Sequence, residues 1–434
     1  MTSRSGFVYL LALIVVLVAS AVCLTISRGV GLRLHAEADA TARDQCREAA
    51  LGVLRAIVND LNTSMAAGGT PSLPTVAPGG ETIGDCTVLL IGRDPAGAVP
   101  SFNLIDEAGK VDLADASEAQ LAALPGMTTA IAAAIVDWRD ADDAPEKDGG
   151  AERPDGAYAG AAVPYAPRNA PCETLEELRL VRDVTDALYF GEDANANGRL
   201  DDGEDTDRDG KLTRGLRDVL TLESREPANA PDGSTRTSVR PVGQALRARM
   251  TAVLGADKGE AAYAKALAGQ PYATRLELLA ELALADADAA ALWPYLTGQE
   301  GRLGLIDAWS ASDPVLVAAV GVDTAKRIVA ARPAARPTSP AWLAKALGRA
   351  DAGTVGRYLT NGSYQFRADL LAVRSDGRGW ARLDASVDCS TGSARVTRIR
   401  PAEAQGWPLP WATPDALRRQ AGADPLTFLT TAPR

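Results

Sequence analysis

Histidine is almost missing from this chain: His35 is the single one in 434 residues. Its scarcity removes the commonest general base, and with it the usual histidine-activated serine and cysteine nucleophiles. No G-x-S-x-G, phosphate loop, H-E-x-x-H or C-x-x-C occurs, so the sequence offers no enzyme constellation and none is expected. His35, just past the apolar start of the chain, reads as a solvated helix residue. Cysteine is also sparse, with Cys23 inside the apolar run and Cys46, Cys86, Cys172 and Cys389 beyond it. Outside the cytoplasm those four allow one or two disulfides, and their spacing assigns no pairing. Positive charge is outnumbered, 45 Lys and Arg against 56 Asp and Glu for a net charge of -11. The arginines are scattered, so the summed field repels phosphate and no nucleic-acid partner is expected.

What the chain does have is length and apolar content. At 46% hydrophobic residues it can bury two or three cores, and it should fold into several units. From Phe7 to Ile26 there is no charged residue. Twenty residues rising about 1.5 Å each span about 30 Å, the thickness of a hydrocarbon core. Residues 1–6 before this run form a short polar leader with one arginine, Arg4, ending at the Gly6-Phe7 junction, and the fifth residue after the junction is the apolar Leu11. A second reading of the segment is a secretory signal cut at Ala19-Ser20-Ala21. A lipoprotein reading around Cys23 is weaker, because Val22 is large for the position before a modified cysteine. Arg4 on one side is balanced by Arg28 and Arg33 on the other, so charge asymmetry does not set the orientation.

Past the span, residues 33–61 read as an amphipathic helix with Cys46, Ala50, Leu54, Ile57, Val58 and Leu61 at three- and four-residue steps. Gly29 and Gly31 could bend the rod, and a Gly/Pro-rich loop is expected over residues 66–81. Strands are expected at Cys86–Gly92 and Phe102–Asp106, briefly at Val219–Ser224, and in the alternating "SYQFRADLLAV" and "GWARLDASVDC". In the last of these Ala381, Leu383, Ala385, Val387 and Cys389 form one apolar face. Between the early and late strands lies a mostly helical block of more than two hundred residues. The economical arrangement is an α+β fold: an N-terminal transmembrane and stem helix with a small antiparallel sheet, split by a large helical insertion. The rival is three independent domains in series.

The block contains a loose duplication. "DLADASEAQLAALPGMTTAIAAAIVDWRD" (Asp112–Asp140) and "LIDAWSASDPVLVAAVGVDTAKRIVAARP" (Leu305–Pro333) each hold a helix, a turn at Pro125-Gly126 or Gly321, and a second helix with the pattern A-x-x-I-V-x-x-R. This is helix-hairpin-helix, SAM-like geometry, in which glycine permits the tight connection. Thr174–Tyr189 and Ser339–Leu347 read as follower helices. The resulting division is 1–6 leader, 7–26 transmembrane helix, 27–110 stem and first strands, 111–222 first helical module, 223–357 second helical module, 358–400 returning strands and 401–434 a Pro/Trp-rich tail.

The strongest chemical signal is "DANANGRLDDGEDTDRDGKLTRGL", residues 193–216. Asp193, Asn195, Asn197, the Arg199 carbonyl, Asp201 and Glu204 fall at positions 1, 3, 5, 7, 9 and 12 of a calcium loop, with Gly198 at the sixth. Alternate oxygen donors wrap a hard cation, glycine permits the sharp turn, and the distal glutamate offers both carboxylate oxygens. Twelve residues on, the register recurs with Asp205, Asp207, Asp209, Gly210, the Lys211 carbonyl and Thr213. This second copy has Leu216 in place of the distal acid, so it is weaker or borrows a ligand from elsewhere. Calcium is the expected ion, since magnesium suits so many flexible protein oxygens less well. Back-to-back loops of the dockerin or thrombospondin-repeat kind fit better than a paired EF-hand, and the role would be structural, linking folding to the ion. The other acidic run, Asp137–Gly156, lacks loop spacing and reads as a solvated connector to which Asp140, Asp142 and Asp143 could add ligands.

The Gly6-Phe7 junction, the apolar Leu11, "LPGM…AIVDWRDADD", "YAPRNAPCETLEELRLVRDVT" and the second hairpin module together resemble the type II secretion minor pseudopilin K family, the general secretion pathway protein K. The resemblance runs from the leader to about Arg400 and is most specific over Pro164–Thr185. It implies cleavage by a prepilin peptidase after Gly6 and single-pass storage in the inner membrane with the body in the periplasm. It also implies a place at the tip of the pseudopilus with the I- and J-type minor pseudopilins, and a role in initiating and capping it for export of folded proteins. Calcium-bound members of the family are implied as well, although the tandem repeat here is more dockerin-like than the family pattern, and the tail past Pro401 has no counterpart. In ordinary pilins an acid stands where this chain has Leu11; burying it in a bilayer costs about 2.5–3.5 kcal/mol unless it meets a cation, which the amino terminus of a neighbouring subunit supplies. A leucine needs no such neighbour. Two other functions compete: a helix-hairpin-helix DNA-binding or DNA-uptake protein, opposed by the turns "LPGMT" and "AVGVD" on an acidic chain, and a secreted calcium-dependent scaffold or adhesion protein.

Overall fold

The computed structural model describes residues 3–68, 71, 80–93, 100–101, 103–147, 158–298 and 304–409. The expected loop over 66–81 and the acidic run over 137–156 fall partly outside them, as do Phe102 and the tail from residue 410.

One helix, Ser3–Gly68, forms the stem and passes Gly29 and Gly31 without a break. At about 1.5 Å per residue it is a rod of about 100 Å. Its amino-terminal half is long and apolar enough to cross a membrane, and none of that stretch is buried by the described residues. Contact with the body begins at Ala42 and continues through Cys46, Ala49, Ala50, Val53, Leu54, Ile57, Leu61 and Met65, all buried. The three- and four-residue spacing puts these on one face, as the sequence predicts. Small residues start the series, and Gly379 meets them: a Cβ there would lie 2.6 Å from the Ala42 backbone. Only glycine lets the helix seat so closely.

That face lies on an antiparallel sheet whose six strands, numbered in chain order, are β1 (Glu81–Ile83), β2 (Cys86–Leu90), β3 (Ile105–Asp106), β4 (Gln365–Arg374), β5 (Trp380–Asp388) and β6 (Arg395–Pro401). The order is β1-β2-β4-β5-β6, with β3 also pairing with β4. Early and late strands therefore meet, Leu90 opposite Leu370 and Cys86 opposite Arg374. This pairing excludes independent domains in series. Phe366, Ala368, Leu370 and Ala372 join the predicted face of Ala381, Leu383, Ala385, Val387 and Cys389 against the stem. The opposite face carries Leu89, Ile91, Leu371 and Val373 under Leu409, and a buried ion pair in which Arg382 donates to both Asp369 oxygens at 2.8 and 2.5 Å.

Between β3 and β4 stands the helical body. Its organisation is a threefold repeat, of which the sequence shows two copies. Each unit opens and closes on a two-residue parallel bridge: Val111-Asp112 with Leu220-Thr221, Thr237-Ser238 with Leu296-Thr297, and Ile306-Asp307 with Leu359-Thr360. In each, the amide after the opening pair donates to the closing threonine carbonyl, from Leu113, Val239 and Ala308 at 2.8, 3.0 and 3.0 Å. The second opening residue also repeats its role. Asp112, Ser238 and Asp307 accept from the amides of Ala114, Arg240 and Trp309, turning the chain out of the bridge.

A helical hairpin follows every opening, with Gly126, Gly255 or Gly321 at its turn and φ of +73°, +85° and +81°, a region where side chains clash with the backbone. In the outer units the A-x-x-I-V-x-x-R arginine reaches back over its own hairpin. Arg332 donates to the Ala311 carbonyl at 2.8 Å, and Arg139 donates to the equivalent Ala116 carbonyl and to that of Leu113. The first and third units share a core built on Leu121, Ile135, Leu216, Leu316, Ile328 and Leu359, which Leu276, Leu279 and Trp293 of the second unit also enter. The second has its own around Leu246, Met250, Tyr272 and Leu278. The follower expected at Ser339–Leu347 is the first part of Ala341–Val355, which is broken at Gly348 by a φ of +66°, and that at Thr174–Tyr189 resolves into the 3-10 turn Leu175–Leu180 and the helix Asp186–Phe190.

Polar contacts seat the body on the sheet. Arg336 bridges Asp106 of β3 and Asp307 of the third unit at 2.9 and 2.6 Å, while Glu107 accepts from Thr221 at 2.7 Å. Burial pushes the carboxyls of Asp112 and Asp307, equivalent residues of two units, up to about 6.

Candidate metal centre

The acidic segment is an excursion of the first unit between the helix Asp186–Phe190 and the short helix Leu216–Val219 that leads into the closing bridge. Its ends are pinched together. Gly191 and Arg214 form an isolated bridge, the Glu192 amide donates to the Thr213 carbonyl at 2.8 Å, and a Cβ on Gly191 or Gly215 would sit 2.2 or 2.3 Å from a backbone carbonyl oxygen across the pinch. The twelve-residue stretches 193–204 and 205–216 follow from that neck.

Both stretches fold alike, which is the structural counterpart of the recurring register. In the first, the amides of Asn197, Gly198 and Arg199 donate to Asn195, Asp193 and Asn197 side chains at 2.9, 3.0 and 2.8 Å. In the second, the amides of Asp209, Gly210 and Lys211 donate to Asp207, Asp205 and Asp209 at 3.0, 3.2 and 2.7 Å. Ala196 and Arg208 at the fourth position, and Gly198 and Gly210 at the sixth, all adopt positive φ. These contacts curl each strand of alternate oxygens inward. Glu204 folds back to accept from the amides of Ala194 and Asp201 at 3.1 and 3.0 Å, which brings the twelfth residue over the first. Asp201 accepts from the side-chain amides of Asn195 and Asn197 at 2.9 and 2.6 Å and pairs with the Arg199 guanidinium at 2.9 Å.

In the second loop the structure supplies an acid that spacing alone did not reveal. Glu192 lies with Asp205 and Asp207 so that one carboxylate oxygen from each comes within 4.8 Å of the others. Leu216, at the twelfth position, is buried in the core of the body. Glu192 is itself buried and accepts from the Thr206 hydroxyl and amide and from the Thr213 amide at 2.7, 2.6 and 3.1 Å. The Thr206 hydroxyl first, and the Thr213 amide next, hold its carboxyl down at about 2, so it is an anion throughout the physiological range. The Oδ1 atom of Asp205 is buried with no hydrogen-bond partner. A desolvated carboxylate oxygen beside two other acids is unfavourable until a cation supplies the missing partner. The donors are hard oxygens, many and flexible, which fits a calcium-sized ion. Thr213 contributes to this neck through its backbone.

Asp142 and Asp143 are occupied differently, accepting from the Ala144 amide and the Asn169 side chain; among the described residues the acids that converge are Glu192, Asp205 and Asp207. At the other end of the chain, Gly6 and Phe7 lie in the stem helix, with Phe7 and Leu11 exposed at 67% and 53%. His35 is exposed on the same helix.

Residues 103–190 match the family model described as type II secretion system (T2SS), protein K. The match runs from the loop before β3 through the first helical hairpin and stops at Phe190, so the two acidic loops lie just beyond it. No curated protein matches the chain. Among solved structures the chain is similar to a chain of the GspK-GspI-GspJ complex from the enterotoxigenic Escherichia coli type 2 secretion system, at 12% identity and a TM-score of 0.42, covering 82% of this chain and 96% of that one. The most specific part of the resemblance read from sequence, Pro164–Thr185, falls inside the matched segment, and the recognition of a type II secretion system protein K is borne out there.

Proposed function

We propose that the chain is a minor pseudopilin of a type II secretion system, cleaved after Gly6 by a prepilin peptidase, held in the inner membrane by residues 7–26, and placed with I- and J-type minor pseudopilins at the tip of the pseudopilus. The protein K match over residues 103–190 carries this reading. The stem helix supports it, since the charge-free part is not buried by any of the described residues and is left for lipid or for neighbouring stems. Leu11 on that surface needs no counter-charge, so the subunit can begin an assembly without an earlier one to neutralise it. The helical body, read as helix-hairpin-helix, SAM-like units, widens the head beside the stem and would obstruct a subunit stacked above it. In this reading calcium fills both loops and braces the first unit from within, held by Asp193, Asn195, Asn197, the Arg199 carbonyl, Asp201 and Glu204, and by Asp205, Asp207, Asp209, the Lys211 carbonyl and Thr213 with Glu192.

The test is the mature amino terminus, sequenced from cells with and without the prepilin peptidase. Phe7 is expected in the first and Met1 in the second. A mature chain beginning at Val22 in both would replace the pseudopilin with a secreted scaffold.

A further inference from the structure

Four of the five cysteines lie beyond the membrane span, and two of them meet. Cys46 on the stem helix and Cys86, the first residue of β2, bring their sulfurs to 3.3 Å. Both are buried, at 0% and 2% exposure. Cys172 is half-buried on the helical body, and Cys389 is buried past the end of β5. Two thiols facing one another in an apolar core are poor hydrogen-bond partners; Cys46 also donates to the Gly379 carbonyl at 3.4 Å.

We propose that Cys46 and Cys86 form a disulfide that fastens the membrane stem to the sheet. The two thiols lose their protons and two electrons, one S–S bond forms, and the electrons and protons reduce the disulfide of an extracytoplasmic thiol–disulfide oxidoreductase to its dithiol. The location of that oxidant rests on the proposed periplasmic body. The place of the link in the fold gives it a use. Ala42 and Cys46 are the first buried positions on the stem, so any pull along the anchor enters the body there. Cys86 stands opposite Arg374 in the β2–β4 pairing, so the bond passes that load directly to the centre of the sheet. Forty residues separate the two cysteines, and closing that loop restricts the unfolded chain substantially. Burial raises both thiols above their ordinary range, so the folded pair stays protonated and slow to react. Oxidation therefore belongs to the interval before the stem seats on the sheet.

The experiment counts thiols in the mature chain taken from the membrane fraction, unfolded without reductant and treated with a maleimide-polymer reagent, with its amino terminus sequenced from the same sample. Three reactive thiols are expected before reduction and five after, with a linked Cys46–Cys86 peptide in the digest. Cys46→Ser and Cys86→Ser should each free a fourth thiol, and should lower the melting temperature by the same amount as the double variant. Five reactive thiols in a chain that begins at Phe7, or a linked peptide joining other cysteines, overturns the disulfide and leaves the pseudopilin reading standing. A second arm is independent of compartment: the purified full chain, unfolded and refolded in a glutathione redox buffer, should form the same pair, and recovery of five free thiols there overturns the proposal whichever terminus is found.

Discussion

In the main sheet, β2 at residues 86–90 hydrogen-bonds to β4 at residues 365–374, across the whole helical body. In that body each unit closes on itself, Thr237-Ser238 on Leu296-Thr297, Ile306-Asp307 on Leu359-Thr360, and, over the longest stretch, Val111-Asp112 on Leu220-Thr221. The sheet is thus assembled from distant chain ends, and the body from local loops. Non-local pairing meets its loop-closure cost before any contact rewards it, and local units form more readily. The body should therefore fold first and deliver β3 and β4 to one place, where Arg336 and Glu107 already tie it to the sheet. Damage to the sheet should be felt everywhere, and damage to the second unit's own cluster around Met250 should stay local.

The sharpest way to break this contrast is in the sheet. Asp369→Ala leaves the Arg382 guanidinium, 1% exposed, buried without its partner, and should cost about 3–5 kcal/mol. Denaturant unfolding followed by probes in the sheet and in the body should show both shifted together. Met250→Ala in the separate core of the second unit should cost about 2–5 kcal/mol, and hydrogen exchange should confine the lost protection to residues 239–296. If protection also falls in β4 and β5, the unit is not independent.

A third probe lies in the loops of the first unit. Saturating calcium should raise thermal stability, by about 2.7 kcal/mol at a hundredfold excess over Kd, and a chelator should reverse it. Glu192→Gln should weaken the calcium-dependent gain, whereas Asp142→Asn should leave it intact. An unchanged melting curve in chelator removes the ion from the account.

The smallest effect is a titration at the first bridge. The Asp112 carboxyl is raised from 3.8 to about 6 by burial, so the native state holds its proton more tightly than the unfolded chain. Its charged form is penalised in full above pH 6, and the penalty fades as pH falls towards 4. Asp112→Asn keeps an oxygen for the Ala114 amide and should stabilise the protein by up to about 2 kcal/mol at pH 7, with little difference from the parent near pH 4. Melting curves at the two pH values check it.

Much of this was legible from residue order because it rests on periodicity. The stem face and the β5 face, Ala381 to Cys389, follow directly from spacings of 3.6 and 2, and the early and late strands pair as the split-sheet arrangement requires. The second unit was hidden because its hairpin lacks the A-x-x-I-V-x-x-R pattern. The shared signals are slighter: Gly255-Ala256-Asp257 beside Gly321-Val322-Asp323, and Tyr295-Leu296-Thr297 beside Tyr358-Leu359-Thr360. The strand expected at Val219–Ser224 is one two-residue bridge, since its apolar residues serve a helical core. Glu192 escaped notice because it precedes the loop it completes; only the pinch at Gly191 and Gly215 carries it across. The acid just before Asp193 was the available hint.

The bridges have a consequence for descent. Because each sets its unit's entrance beside its exit, a gene segment encoding one unit can be copied or lost while the chain resumes its course where it left off. Three turns of one theme between β3 and β4 are what such copying would leave behind, and the head of the molecule could have grown broader without its anchor ever being redrawn.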